Sequence, residues 1–363
     1  MTRPARWWAR SLSALAGAAL ALAPAPALAH GDEAPGGSDY TVTVTTPQPL
    51  PGVRVQVIDA GTRLMLTNDS AQTVTVLGDS GEPYLRIRPD GAYENTRSPA
   101  THRNVTLLSA AAPASADPTA APQWRRVNRD PVARWHDPRA QWAADQPPAV
   151  VAADPARVHR VREWAIPVTV EAVPGGPAAA AITGVLDWSP PPAASEGWLG
   201  ILVGIALVSL LGVLAAPGTT AATGPVGRVV LLTMSALAVV GGGLAIAYAV
   251  ARVLDTGATG VGQVLIGIGI GQVWPVLTGL GAIAAGAYAA LGRPTGDFAL
   301  ALAGACLGLF PGLTNAAVLG RAVPPVVWDG PAARLVVSAV AAIGLGLAVA
   351  GVLRLRAAIA LTR

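Results

Sequence analysis

Four histidines are the residues best suited to bind a metal in this chain, and all of them lie in its first half. They are His30, His102, His136 and His159, and Asp137 directly follows His136. Neutral imidazole is a common metal ligand, and Cu(II) favours nitrogen and oxygen ligands. If His30 becomes the mature N-terminus, its α-amino group and imidazole form a two-nitrogen chelate, so copper is the expected metal. The alternative is that these are scattered structural or surface histidines.

A second candidate site for ligand binding lies between Trp124 and Trp142, where five arginines and three tryptophans occur in nineteen residues. Guanidinium groups bind anions through paired hydrogen bonds, and indole rings stack on sugars and cations. The side chains expected to carry this function are Trp124, Arg125, Arg126, Trp135, Arg139 and Trp142. Alternatively, the tryptophans seal a loop onto the domain and the arginines pair with Asp130, Asp137 and Asp145.

Composition limits the possible functions. The chain is 52% hydrophobic and only 13% charged, which indicates a membrane protein. Residues 30–196 contain 14 arginines against 18 acidic residues, so this part is net negative and nucleic acid is not an expected partner. The sequence groups no nucleophile, base and orienting residue together, and we therefore expect no enzyme activity.

Residues 1–29 resemble a secretory signal. They contain three arginines, an apolar run over residues 12–22 and an Ala-Leu-Ala end, a pattern that predicts cleavage after Ala29. The alternative is an uncleaved anchor, although the apolar run is short for a membrane span.

Residues 30–196 predict an extracytoplasmic antiparallel β-sandwich, either immunoglobulin-like or cupredoxin-like. Short β-branched segments alternate with turn residues at intervals of about ten. We expect strands over residues 40–46, 53–59, 62–67, 72–77, 84–87, 161–173 and 179–188. Residues 110–155 are rich in Pro, Ala and Asp and contain three tryptophans, and they predict a long ordered loop on the sandwich.

Residues 197–363 predict an all-α membrane domain of five spans. The apolar runs cover residues 197–216, 229–250, 263–291, 298–317 and 335–353. Trp274-Pro275 and Phe310-Pro311-Gly312 should bend the third and fourth spans. With the signal placing the β domain outside, the C-terminus is cytoplasmic, and the distribution of arginines agrees with the positive-inside rule.

The membrane half contains few polar side chains. No Asp, Glu, His or Lys lies in the middle of a predicted span, which disfavours a proton-coupled or ion-coupled transporter. Gln272 and Asn315 could line a path, or they could form hydrogen bonds between helices. The single cysteine, Cys306, lies in an apolar run and is expected to be a small core residue.

Three segments carry a resemblance to a known group of proteins. Residues 81–100, 135–142 and 182–188 resemble a family of uncharacterised actinobacterial membrane proteins with a signal peptide, a β-rich exported domain and C-terminal spans. The family often has Trp-His-Asp-His-Arg-x-His-Trp where this chain keeps Trp135, His136, Asp137, Arg139 and Trp142 but has Pro138 and Gln141. An N-terminal His30 on a β-sandwich is also similar to CopC-type copper-resistance proteins.

The sequence therefore predicts a non-enzymatic integral membrane protein whose exported domain binds a ligand or a metal, with copper as the first choice, or supports cell-envelope assembly. Two alternatives remain, a structural subunit of a membrane complex and a passive small-solute permease. The expected partners are the lipid bilayer and another membrane or exported protein.

Overall fold

A computed structural model of the chain describes residues 36–45, 52–106, 111–144, 146–172, 176–214, 216–219 and 224–361. The predicted signal sequence and His30 lie outside these residues. The described chain folds into an antiparallel β domain followed by long helices, as the sequence predicts.

The β domain contains two antiparallel sheets in the described residues. The larger has seven strands, in the spatial order β1 (Tyr40–Val44), β10 (Gly176–Trp188), β9 (His159–Ala172), β4 (Thr73–Leu77), β5 (Pro83–Arg88), β6 (Gly91–Asn95) and β7 (Trp124–Asn128). The smaller has three, in the order β2 (Val53–Ile58), β3 (Arg63–Asn68) and β8 (Val132–Trp135). Both sheets contribute to one buried core, so the domain is a sandwich.

The alternation of buried and more exposed side chains along the strands explains how this core forms. On β9 every second side chain from Trp164 to Val170 is buried, because successive residues of a strand point to opposite faces. The Trp164 ring covers Gly184 on β10, where a Cβ atom would lie 2.1 Å from a ring carbon. Glycine is therefore needed at position 184 for close packing of the two strands.

The prediction of a long loop over residues 110–155 is wrong. This segment contains β7, β8 and the short helix α2 (Ala149–Ala153), and another short helix, α1 (Ala100–Arg103), precedes it. β7 is an edge strand with charged residues, so its sequence lacks the apolar alternation that reveals an inner strand. Its pairing with β6 is a tertiary contact.

Five helices are long and apolar enough to cross a membrane, and they confirm the five predicted spans. We call them span one (Ala194–Leu214), span two (Pro225–Asp255), span three (Val261–Ala290), span four (Gly296–Gly320) and span five (Gly330–Leu361). Between residues 261 and 278 of span three no side chain is buried against the rest of the chain.

Spans three and four are irregular near the prolines that were expected to bend them. Span three is α-helical over Val261–Gly267 and Val273–Ala290, with a π-helical turn at Ile268–Gln272 just before Pro275. Span four is α-helical over Gly296–Leu307, then π-helical over Gly308–Gly312 and 3₁₀-helical over Leu313–Gly320. Proline lacks an N–H and displaces the carbonyl one turn earlier, which accounts for both irregularities.

Candidate functional site

A buried polar network in the β domain centres on Asp137. Its side chain is fully buried and accepts hydrogen bonds from Arg139 Nε and Nη2, both at 2.9 Å, and from Trp135 Nε1 at 3.1 Å. The backbone N–H of Arg139 also donates to Asp137 at 3.1 Å. Both carboxylate oxygens are thus occupied within the protein, which is the way a buried carboxylate is normally stabilised.

Arg139 ties this segment to the β4–β5 turn. Its guanidinium donates to the carbonyl of Leu77 at 3.0 Å and lies 3.4 Å from a carboxylate oxygen of Asp79. Burial lowers the pKa of Arg139, but hydrogen bonding to Asp137 and the charges of Asp137, Asp79 and Glu82 outweigh burial and raise it. Burial raises the pKa of Asp79, and the charge of Arg139 partly offsets that effect.

Glu82 joins the same turn to the chain before α1. Only 4% of Glu82 is exposed, and its Oε1 accepts a 2.6 Å hydrogen bond from Ser98 Oγ. Its Oε2 accepts from the backbone N–H of Ser80 at 3.1 Å. Tyr84 and Asn104 are buried beside this network, and burial strongly raises the pKa of the Tyr84 hydroxyl, which keeps it protonated. The network joins residues 81–100 and 135–142, two of the three segments that carry the family resemblance, to the β4–β5 turn.

The predicted metal ligands in the described residues make separate contacts. His136 Nδ1 donates to the Thr62 carbonyl at 2.7 Å, and His159 Nε2 to the Asp154 carbonyl at 2.6 Å. His102 Nε2 lies 3.4 Å from the Thr96 carbonyl. Across the described ranges, no three His, Cys, Asp or Glu side chains are grouped so that they could hold a metal ion. Because His30 lies outside these ranges, copper binding stays a prediction.

The arginine and tryptophan residues proposed to bind a ligand also make contacts within the protein. Arg125 pairs with Glu94, Arg126 donates to the Asp90 carbonyl, and the Arg86 guanidinium lies 4.2 Å from the Trp124 ring centre. Trp135 is 1% exposed in the core, and Trp142 donates to the Gln146 carbonyl at 2.8 Å. The alternative from the sequence was that the arginines form ion pairs with nearby aspartates. Arg139 does pair with Asp137, whereas Arg125 pairs with Glu94. Asp145 lies outside the described residues.

The β domain is attached to the end of span two at what we call the span-two junction. Asp59 N–H donates to the Asp255 carbonyl at 3.0 Å, and Ala60 N–H donates to Asp255 Oδ2 at 2.8 Å. Arg134 donates to the carbonyls of Thr256 at 3.2 Å and Gly257 at 3.1 Å. Burial raises the pKa of Asp59, and the nearby Arg63 partly offsets the rise.

A second attachment, which we call the span-four junction, lies where span four ends. Asp39 is 7% exposed and accepts hydrogen bonds from Arg321 Nη1 at 2.6 Å and from Ala322 N–H at 3.0 Å. Ser38 and Val323 pair as an antiparallel bridge. The sequence predicted neither junction, because each joins residues that lie far apart in the chain.

The two polar residues predicted in the membrane half differ in their surroundings. Asn315 accepts a 3.2 Å hydrogen bond from Arg252 Nη1 and donates to the Pro311 carbonyl at 2.8 Å. Its bond with Arg252 joins span four to span two, as the alternative of an interhelical hydrogen bond predicts. Gln272 is half-buried and ends the π-helical turn of span three.

Comparison of the chain with protein-family models, curated proteins and solved structures finds no match.

Proposed function

We propose that this multi-pass membrane protein is a non-enzymatic structural subunit of a membrane complex, whose extracytoplasmic β domain supports assembly at the cell envelope. The observation that carries the proposal is the double attachment of the β domain, to Asp255 at one junction and to Arg321 and Ala322 at the other.

The nature of these contacts favours a rigid body. Domains joined only by a linker usually move relative to each other. Here backbone hydrogen bonds, the buried carboxylate of Asp39 and the carboxylate of Asp255 join the β domain to the ends of two different helices. Such bonds are directional, so they hold one orientation. A fixed domain above the membrane suits a subunit that presents a constant surface to its partners.

The contacts inside the β domain support the same proposal. The charged side chains that would recognise a free ligand, Arg125 and Arg139 above all, are paired with Glu94 and Asp137. Breaking such pairs to admit a ligand carries a cost, which is highest for the buried Asp137. The proposal places the β domain outside the cell, on the grounds of the predicted signal sequence.

The test is recovery of a partner from native membranes. The chain carries a C-terminal tag at its chromosomal locus, cells are cross-linked, and complexes are purified in mild detergent and quantified by mass spectrometry. We expect a second membrane or exported protein in stoichiometric amount. Asp39→Ala, which removes the acceptor at the span-four junction, should reduce its recovery while the chain itself remains in the membrane.

The matched control is Asp69→Ala. Asp69 forms an ion pair with Arg54 in which both side chains are more than half exposed, so its loss should leave partner recovery unchanged. Recovery of the wild-type chain alone, with the native mass of a monomer, would rule out the proposed role.

A further inference from the structure

The tip of the β2–β3 hairpin has an unusual backbone. Asp59, Ala60 and Gly61 follow each other with φ angles of +52°, +53° and +88°. A left-handed conformation is unfavourable for alanine, whereas glycine and, to a lesser degree, aspartate tolerate it. A conformation of this kind persists only where its surroundings hold it.

The outer end of span two is what holds this tip. The N–H groups of Asp59 and Ala60 both donate to Asp255, one to its carbonyl and the other to its carboxylate. The last carbonyls of a helix lack partners within the helix. Here Arg134 of β8 supplies donors to the carbonyls of Thr256 and Gly257, just after the helix end. The β domain therefore caps span two.

The contacts continue from span two into span four. Arg252 precedes Asp255 by three residues, which places the two on neighbouring positions of the helix surface. Arg252 donates to Asn315, and Asn315 donates to the Pro311 carbonyl. These residues lie where span four changes from π-helical to 3₁₀-helical. Such segments have alternative hydrogen-bonding patterns close in energy and often act as hinges.

We propose that the hairpin tip, Asp255, Arg252 and Asn315 form a conformational latch that couples the β domain to the outer half of span four. While the tip is seated on Asp255, Arg252 is held against Asn315 and span four keeps its irregular form. Release of the tip frees Arg252, and the outer half of span four then rearranges. This regulatory coupling goes beyond the structural role proposed above.

The test is hydrogen–deuterium exchange of the full chain in lipid nanodiscs. Asp255→Ala removes the carboxylate acceptor, and we expect exchange about tenfold faster both at residues 58–62 and at residues 311–320. Asp255→Asn keeps an acceptor oxygen at the same place and should behave like the wild type. Arg321→Ala breaks the span-four junction without touching Asp255, and it should leave residues 58–62 unchanged.

A second variant covers the case in which Asp255→Ala fails to fold. Arg252→Met removes the hydrogen bond to Asn315 but leaves the contacts between the hairpin tip and Asp255 in place. It should therefore accelerate exchange at residues 311–320 and leave residues 58–62 as in the wild type. Faster exchange at the tip alone in Asp255→Ala, or unchanged exchange at residues 311–320 in Arg252→Met, would overturn the latch.

Discussion

Gly242 and Gly279 pack backbone to backbone where spans two and three meet. A Cβ atom on Gly242 would lie 2.4 Å from the Gly279 carbonyl oxygen, and one on Gly279 would lie 2.6 Å from that of Gly242. We predict that Gly242→Ala forces the helices apart and destabilises the membrane domain by about 2 kcal/mol. Thermal unfolding in detergent measures the effect.

The adjacent Gly243 is the matched control for this prediction. A Cβ atom at Gly243 meets nothing within 4 Å, so Gly243→Ala should be neutral or slightly stabilising, because alanine favours helix. Equal unfolding temperatures for the two variants would contradict the close contact between the spans.

Ala60 and Ala133 are both buried, at 3% and 4% exposure, but differ in backbone conformation. Ala133→Gly in β8 removes a buried methyl group and makes the unfolded chain more flexible, so we expect it to lower the free energy of unfolding by about 1–2 kcal/mol. Ala60→Gly loses the same methyl group but relieves its left-handed strain, so we expect a net change within about 0.5 kcal/mol. Unfolding temperatures of the two variants test this, and a larger loss for Ala60→Gly would argue against strain at the tip.

Asp137→Asn should strongly destabilise the β domain. The NH₂ group of the asparagine would lie against the N–H groups of Trp135 or Arg139, which now donate to the Asp137 carboxylate. Arg139 would also lose its main counter-charge. Loss of one partner from a buried ion pair costs about 3 kcal/mol. Asp79→Asn is the control, because Asp79 contacts the same guanidinium but is one-third exposed, and we expect a loss below about 1 kcal/mol. Tryptophan fluorescence during thermal unfolding provides the readout; similar losses for both would refute the central role of Asp137.

We predict that Asp59 stabilises the folded protein more in acid than at neutral pH. Burial raises its pKa above the usual value of 3.8, so the folded state binds this proton more readily than the unfolded state. Its contribution therefore grows as the pH falls through the raised pKa, and it is fully present below 3.8. In Asp59→Asn the charge is removed, and asparagine tolerates the left-handed backbone at this position. At pH 7 we expect it to be at least as stable as the wild type.

The unfolding temperature of Asp59→Asn should then fall behind that of the wild type as the pH is lowered towards 4. Asp117 is the control of opposite sign, since hydrogen bonds from Thr119 lower its pKa. The stabilisation from Asp117 is present above the pKa that this residue has in the unfolded state. It is lost as the pH falls through the lower pKa of the folded state. If Asp59→Asn were less stable than the wild type at pH 7 and this deficit closed in acid, the assignment would be contradicted.

The predicted copper site requires a free amino group at His30. We predict that the full chain, purified after cleavage following Ala29, binds Cu(II) more tightly than a chain with one extra residue before His30, because the extra residue removes the chelating α-amino group. Isothermal titration with Cu(II) is the measurement, with His102→Ala, His136→Ala and His159→Ala identifying further ligands. Weak binding that is the same for both N-termini would exclude the copper site.

The five spans and most of the strands were predictable because they are local properties of the chain. An apolar run of sufficient length forms a helix in a membrane wherever it occurs, since its backbone must satisfy its own hydrogen bonds. Alternation in segments such as 40–46 and 161–173 likewise predicted β1 and β9. The change to nearly continuous apolar runs after residue 196 separated the two parts of the chain.

The strands β6, β7 and β8 were not predictable in the same way. Each is only four or five residues long and mixes charged or small side chains with an aromatic one. They become strands through pairing with partners elsewhere, as when β8 adds to β3. Propensity for strands depends strongly on such tertiary context.

The sequence by itself determined that a β-rich domain precedes five apolar spans, because periodicity and hydrophobic length are set by neighbouring residues. Only the tertiary structure decided which polar groups meet. Ala60 and Asp255 are 195 positions apart, and Asp39 and Arg321 are 282 apart. No local pattern encodes such a contact, because it exists only after the sandwich and the helices have brought both ends of the chain together.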